Sequence, residues 1–139
     1  MSLQDRARTL FDGDLFAKTL GVEFIRADND AVVLGLTVTA EHCNVHGTLH
    51  GAVSYALADI SFAIASNLAG PAAVAVDVHM VYSGAACKGD KIVATCTELR
   101  RGRTLATYRS DIMLGDKLLG SFTGTVLITG ATDTTDMSR

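Results

Sequence analysis

Between Cys43 and Asn67 the chain reads CNVHGTLHGAVSYALADISFAIASN, a polar loop that runs into a stretch of small and apolar residues. One carboxylate, Asp59, stands inside that stretch, with no basic residue within a helical turn on either side. Burying an unpaired carboxylate is costly, so a residue held in this way is a candidate general base or nucleophile. Ahead of it, His50-Gly51 falls where a helix would begin. The Gly51 N–H is then one of the unpaired donors at the positive end of the helix dipole, and glycine lets a substrate carbonyl approach the backbone closely. Such a donor suits a developing oxyanion, although a tight, packed helix start would equally call for glycine. Asn44, in the loop, is placed to orient a water or that carbonyl, or simply to make the turn.

Gly51 and Asp59 are eight residues apart, about 12 Å along a helix. The aspartate side chain leans back toward the N-terminus, which shortens the gap without closing it. One carbonyl cannot touch both groups of a single chain. Joint action would combine Gly51 of one copy with Asp59 of another, so catalysis by both implies a dimer.

Other chemistries fit less well. His42, His46, His50 and His79 lack an HExxH pattern or an accompanying carboxylate cluster, so no metal site is expected. There is no GxSxG elbow, P-loop or dinucleotide fingerprint. Cys43 beside His42 is poor evidence for a thiol nucleophile, because adjacency in sequence says little about geometry.

The elements that must position these residues follow from periodicity. Residues 3–20 read as helical with a break near Gly13, their apolar stripe formed by Leu10, Phe11, Leu15, Phe16 and Leu20. Residues 22–26 and 31–38 read as strands joined by Asp28-Asn29-Asp30, a strong turn signal. The central helix should run over 49–67 and stop before Gly70-Pro71. Val53, Leu57, Ile60 and Ile64 line one of its faces, with Tyr55, Phe62 and several alanines opposite. A helix apolar nearly all round is normally enclosed. Strands are expected over 72–83, 91–99, 104–113 and 117–128, rich in threonine and β-branched residues and arranged as an antiparallel meander. The fold class is α+β, a curved sheet around the long helix, in one domain over 1–130, with 131–139 a frayed, flexible tail.

With 139 residues, 48% apolar and 19% charged, the chain can bury a substantial core. A net charge of -3 argues against a nucleic-acid partner. Arg100, Arg101 and Arg103 form the one basic cluster, too small for a duplex and suited to a few phosphates or to a solvated hairpin tip. Three widely spaced cysteines suggest free thiols in a reducing compartment, and neither a signal-peptide core nor a membrane-length apolar run is present. A cytoplasmic protein without a membrane partner is expected.

The combination of Asn44, His50-Gly51-Ala52 and Ala58-Asp59 resembles the hotdog-fold thioesterases, specifically the phenylacetic-acid-degradation (PaaI-like) branch. The likeness extends over residues 15–129 and includes VAVDVHMVYSGAACKGD, ending in Gly89-Asp90, and RGRTLATY. Ala52 stands where the family has a second glycine, and Ala75 where relatives often have a hydroxyl residue. The resemblance implies a five- or six-stranded antiparallel sheet around the helix, dimerised edge to edge and often paired again as a dimer of dimers. It implies hydrolysis of acyl- or aroyl-coenzyme A to free acid and coenzyme A. The Gly51 N–H would polarise the carbonyl, His50 and Asn44 would shape that side, and the partner's Asp59 would act directly or through water. Arg100, Arg101, Arg103 and Thr104 would bind the nucleotide phosphates. An apolar pocket near Tyr55, Phe62, Leu49, Phe11 and Phe16 would hold the acyl group. No cofactor is implied, coenzyme A being part of the substrate. Two rivals share the fold. A non-catalytic acyl-coenzyme A sensor would leave Asp59 dispensable, and a hydratase would want an Asp-x-Asn-Pro-x-His run, which is absent.

Overall fold

The structure, a computed structural model, describes residues 1–130. The tail expected over 131–139 lies outside the described residues.

Ser2 starts α1 (Leu3–Asp12) by accepting from the Asp5 N–H while Asp5 reaches back, a reciprocal cap. Asp14 starts α2 (Leu15–Leu20) by accepting from the Ala17 N–H, and Gly21 closes it at φ 80°. The break near Gly13 therefore separates two helices. It also turns the second one: Phe11 is buried, but Leu15 is 73% and Phe16 57% exposed. The expected continuous stripe is corrected accordingly, because a stripe continues only while the helix does.

A hairpin follows, β1 (Glu23–Ala27) and β2 (Val32–Thr37). Asp28 makes its turn, its Oδ1 accepting from the Asp30 and Ala31 N–H groups. After a 3-10 turn at Ala40–His42 and a loop comes the central helix α3 (Gly51–Asn67). Four strands complete the chain: β3 (Ala73–Tyr82), β4 (Lys91–Arg101), β5 (Leu105–Leu114) and β6 (Lys117–Ile128). All pairings are antiparallel, in the order β1-β2-β4-β5-β6-β3.

That order corrects the simple meander. The helix carries the chain across the sheet and delivers β3 to the far edge, beside β6, after which the chain returns to lay β4 on β2. As an edge strand β3 is open: Val74, Val76, Val81 and Tyr82 are all exposed. A bulge between Ala75 and Asp77 interrupts its pairing with β6.

The sheet curls around α3, which touches β2, β3, β4, β5 and β6. Leu57 and Ala58 are fully buried and Phe62 is 1% exposed. Phe62 packs against Tyr108 and Phe122, with ring centroids 5.8 and 5.4 Å away. It seats on Gly124 of β6, where a Cβ would fall 2.7 Å from the ring. Truncating a side chain such as Leu57 costs about 2–5 kcal/mol, so this packing fixes the helix firmly. The buried hydroxyls are satisfied, Ser61 donating to the Ala58 carbonyl at 2.6 Å and bonding Ser110 at 2.8 Å. Beside them, burial pushes the Cys96 thiol up to about 12. The far end of α3 is fastened by Asn67, which accepts from the Ala73 N–H and donates to the Ala63 and Ala73 carbonyls. Arg6 adds donors to the Asn67 and Gly70 carbonyls, supplying the positive charge that the last turn of α3 lacks.

Candidate active site

One stripe of α3 stays open. Gly51, Tyr55 and Asp59 are half-buried, and Ala63 is exposed, while most of the remaining helix is sealed. A spacing of four residues places all of them along one face.

The start of that stripe is made by His50. Its backbone N–H donates to the His42 carbonyl at 2.8 Å, and its Nδ1 accepts from the Ala52 N–H at 3.0 Å. The proton of the neutral ring is therefore on Nε2. The His50 carbonyl accepts from the Val53 and Ser54 N–H groups at 2.9 and 3.4 Å. Among the first four donors of the helix, only the Gly51 N–H is left without an acceptor among the described residues. A side chain there would fit tightly: a Cβ would lie 3.2 Å from Cε1 and 3.3 Å from Cζ of Tyr82, so the ring would have to give by a few tenths of an ångström.

His42 is a buried brace. Its Nδ1 accepts from the Thr39 N–H at 3.0 Å and its Nε2 donates to the Leu20 carbonyl at 2.8 Å, tying the loop to the end of α2. His46 is an exposed loop residue, and His79 lies on β3. Among the described residues no three His, Cys, Asp or Glu side chains gather as metal ligands. The three cysteines are free.

Asn44 organises the loop. Its Oδ1 accepts from the His46 N–H at 2.9 Å and from the Thr48 N–H and hydroxyl, each at 3.3 Å. Its Nδ2 has no hydrogen-bond partner among the described residues. With Cys43, Val45, His46 and His50 it lines an open groove of about 560 Å³ at the start of α3. A partly open cavity of about 200 Å³ lies at the opposite end of the helix, among Ala65, Leu68, Cys96, Glu98 and Tyr108, away from these groups.

Asp59 has no hydrogen bond or ion pair among the described residues, as its sequence surroundings implied. Burial raises its pKa above the ordinary carboxylate value, and the charge of Asp14 adds to the effect. Tyr55, one turn earlier, is pushed up by burial first, then by Asp59 and Tyr82. A carboxylate and two phenols thus share the open face.

Other expected site residues do not join them. Phe62 and Leu49 are core residues, Phe11 packs on Phe24 and Phe16 points outward, so no single-chain acyl pocket forms from the expected set. Tyr55 alone of that set borders the stripe. A helical wheel puts Phe62 opposite Leu57, but a sheet that curls around the helix buries both sides. The basic turn lies toward the C-terminal end of α3: the Ile128 N–H donates to the Thr104 carbonyl, and Ile128 pairs with Ala73 at the start of β3. Arg101 is already engaged, donating to the Tyr108 hydroxyl at 3.2 Å and pairing with Glu98 at 3.8 Å. Arg100 and Arg103 are exposed.

Two residues near the stripe escaped the sequence reading, Asp14 and Tyr82. Asp14 carried the signal of a helix cap but none of its proximity to Asp59. Tyr82 ends an edge strand and carried no signal.

Residues 46–121 match the Thioesterase superfamily. A putative esterase of Deinococcus radiodurans is 43% identical over 113 residues, 80% of this chain and 77% of that protein. The acyl-coenzyme A thioesterase PaaI of Escherichia coli is 34% identical over 107 residues, 77% of this chain and 76% of that protein. The solved structure of the E. coli PaaI protein from the phenylacetic acid degradation operon superposes with a TM-score of 0.88 at 32% identity, covering 94% of this chain and 99% of that one.

Proposed function

The chain belongs to the thioesterase superfamily, in its PaaI-like hotdog branch, and from that premise we propose that it hydrolyses acyl- or aroyl-coenzyme A at a site shared between two copies. The observation that carries this reading is the open stripe of α3. It holds an uncapped N–H at Gly51 and an unpaired carboxylate at Asp59, whose backbones are about 12 Å apart along the helix, a gap that the lean of the side chain shortens without bringing both groups to one thioester carbonyl in one chain. A two-fold pairing that sets the stripes side by side brings each Gly51 toward the other copy's Asp59. The open edge of β3, with Val74, Val76 and Val81 exposed, supports an edge-to-edge dimer. Assembly of dimers in pairs is a further part of the proposal.

In the reaction, the thioester carbonyl accepts from the Gly51 N–H, and His50 Nε2–H and Asn44 Nδ2–H border the same end. The partner's Asp59 takes a proton from water as the water oxygen bonds to the carbonyl carbon. The oxyanion collapses, the C–S bond breaks, and the sulfur leaves with its electron pair and collects the proton. Alternatively the carboxylate itself adds, expelling the thiolate and forming a mixed anhydride that water opens. The raised pKa of Asp59 suits the base, since it narrows the gap to the proton it must take. Both routes end in free acid and coenzyme A and require no cofactor. The exposed Arg100 and Arg103 of the partner would hold nucleotide phosphates, with Thr104 beside them.

The test is thiol release from a panel of acyl- and aroyl-coenzyme A esters by mixed dimers. Gly51→Pro, which removes the N–H at the one helix position that tolerates proline, and Asp59→Asn, each expected to be inactive alone, are refolded together. A shared site regenerates one intact centre per mixed dimer, about a quarter of wild-type turnover. A single-chain site regenerates none. Undiminished activity of Asp59→Asn would remove the aspartate from the chemistry, and tight thioester binding without turnover by the wild type would favour the sensor.

A further inference from the structure

Tyr82 is the last residue of β3, and it is 53% exposed although its ring lies against the backbone of Gly51. From the point where a Cβ of Gly51 would stand, Tyr82 Oη is 3.6 Å away, only slightly farther than the ring carbons. Two atoms bonded to one Cα are about 2.5 Å apart, so Oη and the Gly51 nitrogen are separated by no more than about 6 Å. An oxyanion accepts from donors 2.7–3.1 Å away, which lets one oxygen bridge two donors up to about 6 Å apart. The Tyr82 hydroxyl has no hydrogen-bond partner among the described residues, and neither has the Gly51 N–H. A phenol has one proton to donate, and here it stands unused next to the one unused donor of the helix.

We propose that Tyr82 is a catalytic residue of the thioesterase site, its phenol O–H donating to the thioester carbonyl oxygen together with the Gly51 N–H. The inference rests on the reading of Gly51 as the carbonyl-binding group. It accounts for a feature that packing alone does not. A Cβ at Gly51 would press on the Tyr82 ring, and a ring packed there for its apolar area would serve as well without an oxygen. With Tyr82 included, the carbonyl end has two donors from two elements, α3 and β3, each fixed by the curled sheet.

The two roles of the ring separate in Tyr82→Phe, which keeps the packing on Gly51 and removes only the hydroxyl. Steady-state hydrolysis of benzoyl- and hexanoyl-coenzyme A is measured for wild type, Tyr82→Phe, Tyr82→Leu and Asp59→Asn. The loss of one oxyanion donor is expected to lower kcat by about tenfold or more, up to the 10²–10³-fold seen for a fully desolvated donor, with KM changed less than about threefold. Tyr82→Leu, with oligomeric state checked by sedimentation, should lose at least as much. A Tyr82→Phe kcat within about twofold of wild type, with Asp59→Asn inactive, overturns the role of Tyr82 and leaves the site reading standing. Activity retained in Asp59→Asn overturns the site reading and the role of Tyr82 with it.

Discussion

Asp14, the cap of α2, sets its charge against Asp59 in the middle of α3, so a half-buried carboxylate from a different part of the chain opposes the ionisation of Asp59. Burial is the larger influence on Asp59, and Asp14 reinforces it. If Asp59 is the base proposed above, it must lose its proton before it can act, so the acid limb of kcat/KM should lie above the ordinary aspartate value of 3.8. Asp14→Asn keeps an efficient helix cap and removes the charge. It should move that limb to lower pH, with the plateau rate unchanged; a pH–rate profile of the two proteins decides it.

The same shift has a sign for stability. The folded state binds the Asp59 proton more tightly than the unfolded chain does, so the ionised group opposes folding above its folded pKa. The stabilising contribution of protonation is complete below 3.8 and is lost as pH rises through the raised value. Asp59→Asn should therefore melt at a higher temperature than wild type at pH 7, and the difference should vanish near pH 3. Its hydrolysis should fall by roughly 10²–10⁴. Melting curves at the two pH values, beside thiol release, measure both.

The edge of β3 offers a direct handle on assembly. Val76→Lys with Val81→Lys places charges on an exposed strand, where the isolated fold has little to lose. Sedimentation should show the species halved in mass, and turnover should fall with the dimer fraction. A monomer of full activity would contradict a shared site.

Arg100 and Arg103 are exposed, whereas Arg101 is held by Tyr108 and Glu98. Reversing Arg100 and Arg103 to Glu should raise KM for coenzyme A esters about tenfold and flatten its salt dependence. Hydrolysis of a thioester that lacks the nucleotide, such as an N-acetylcysteamine ester, should be unaffected.

The cysteines should sort by environment. Cys87 is exposed, Cys43 half-buried, and Cys96 buried with its thiol at about 12. In a thiol titration at pH 8, Cys87 should react first and Cys96 only after denaturation.

Much of this fold was legible in local pattern. The central helix begins two residues after its expected start and ends where expected, because Pro71 and the small residues before it leave no continuation. The strand at Lys117–Ile128 has its expected bounds. Pairing was not legible: nothing in β3 itself says that its neighbour is β6, since that depends on where the helix crosses. Phe62 shows the same limit, an aromatic expected at a pocket and found on Gly124. At the site, Asp59 announced itself by the absence of a basic neighbour. Gly51 gave its place at the helix start but not the capping by His50 that leaves its N–H free. Asp14 and Tyr82 act through proximity alone, which spacing along the chain does not encode.

The open edge of β3 finally bears on how activity should scale. A centre completed only when two chains meet makes dilution an inhibitor. Below the dimer dissociation constant the rate would rise as the square of protein concentration, and above it linearly. Specific activity then reports how much of the protein a cell holds as well as how good a catalyst it is.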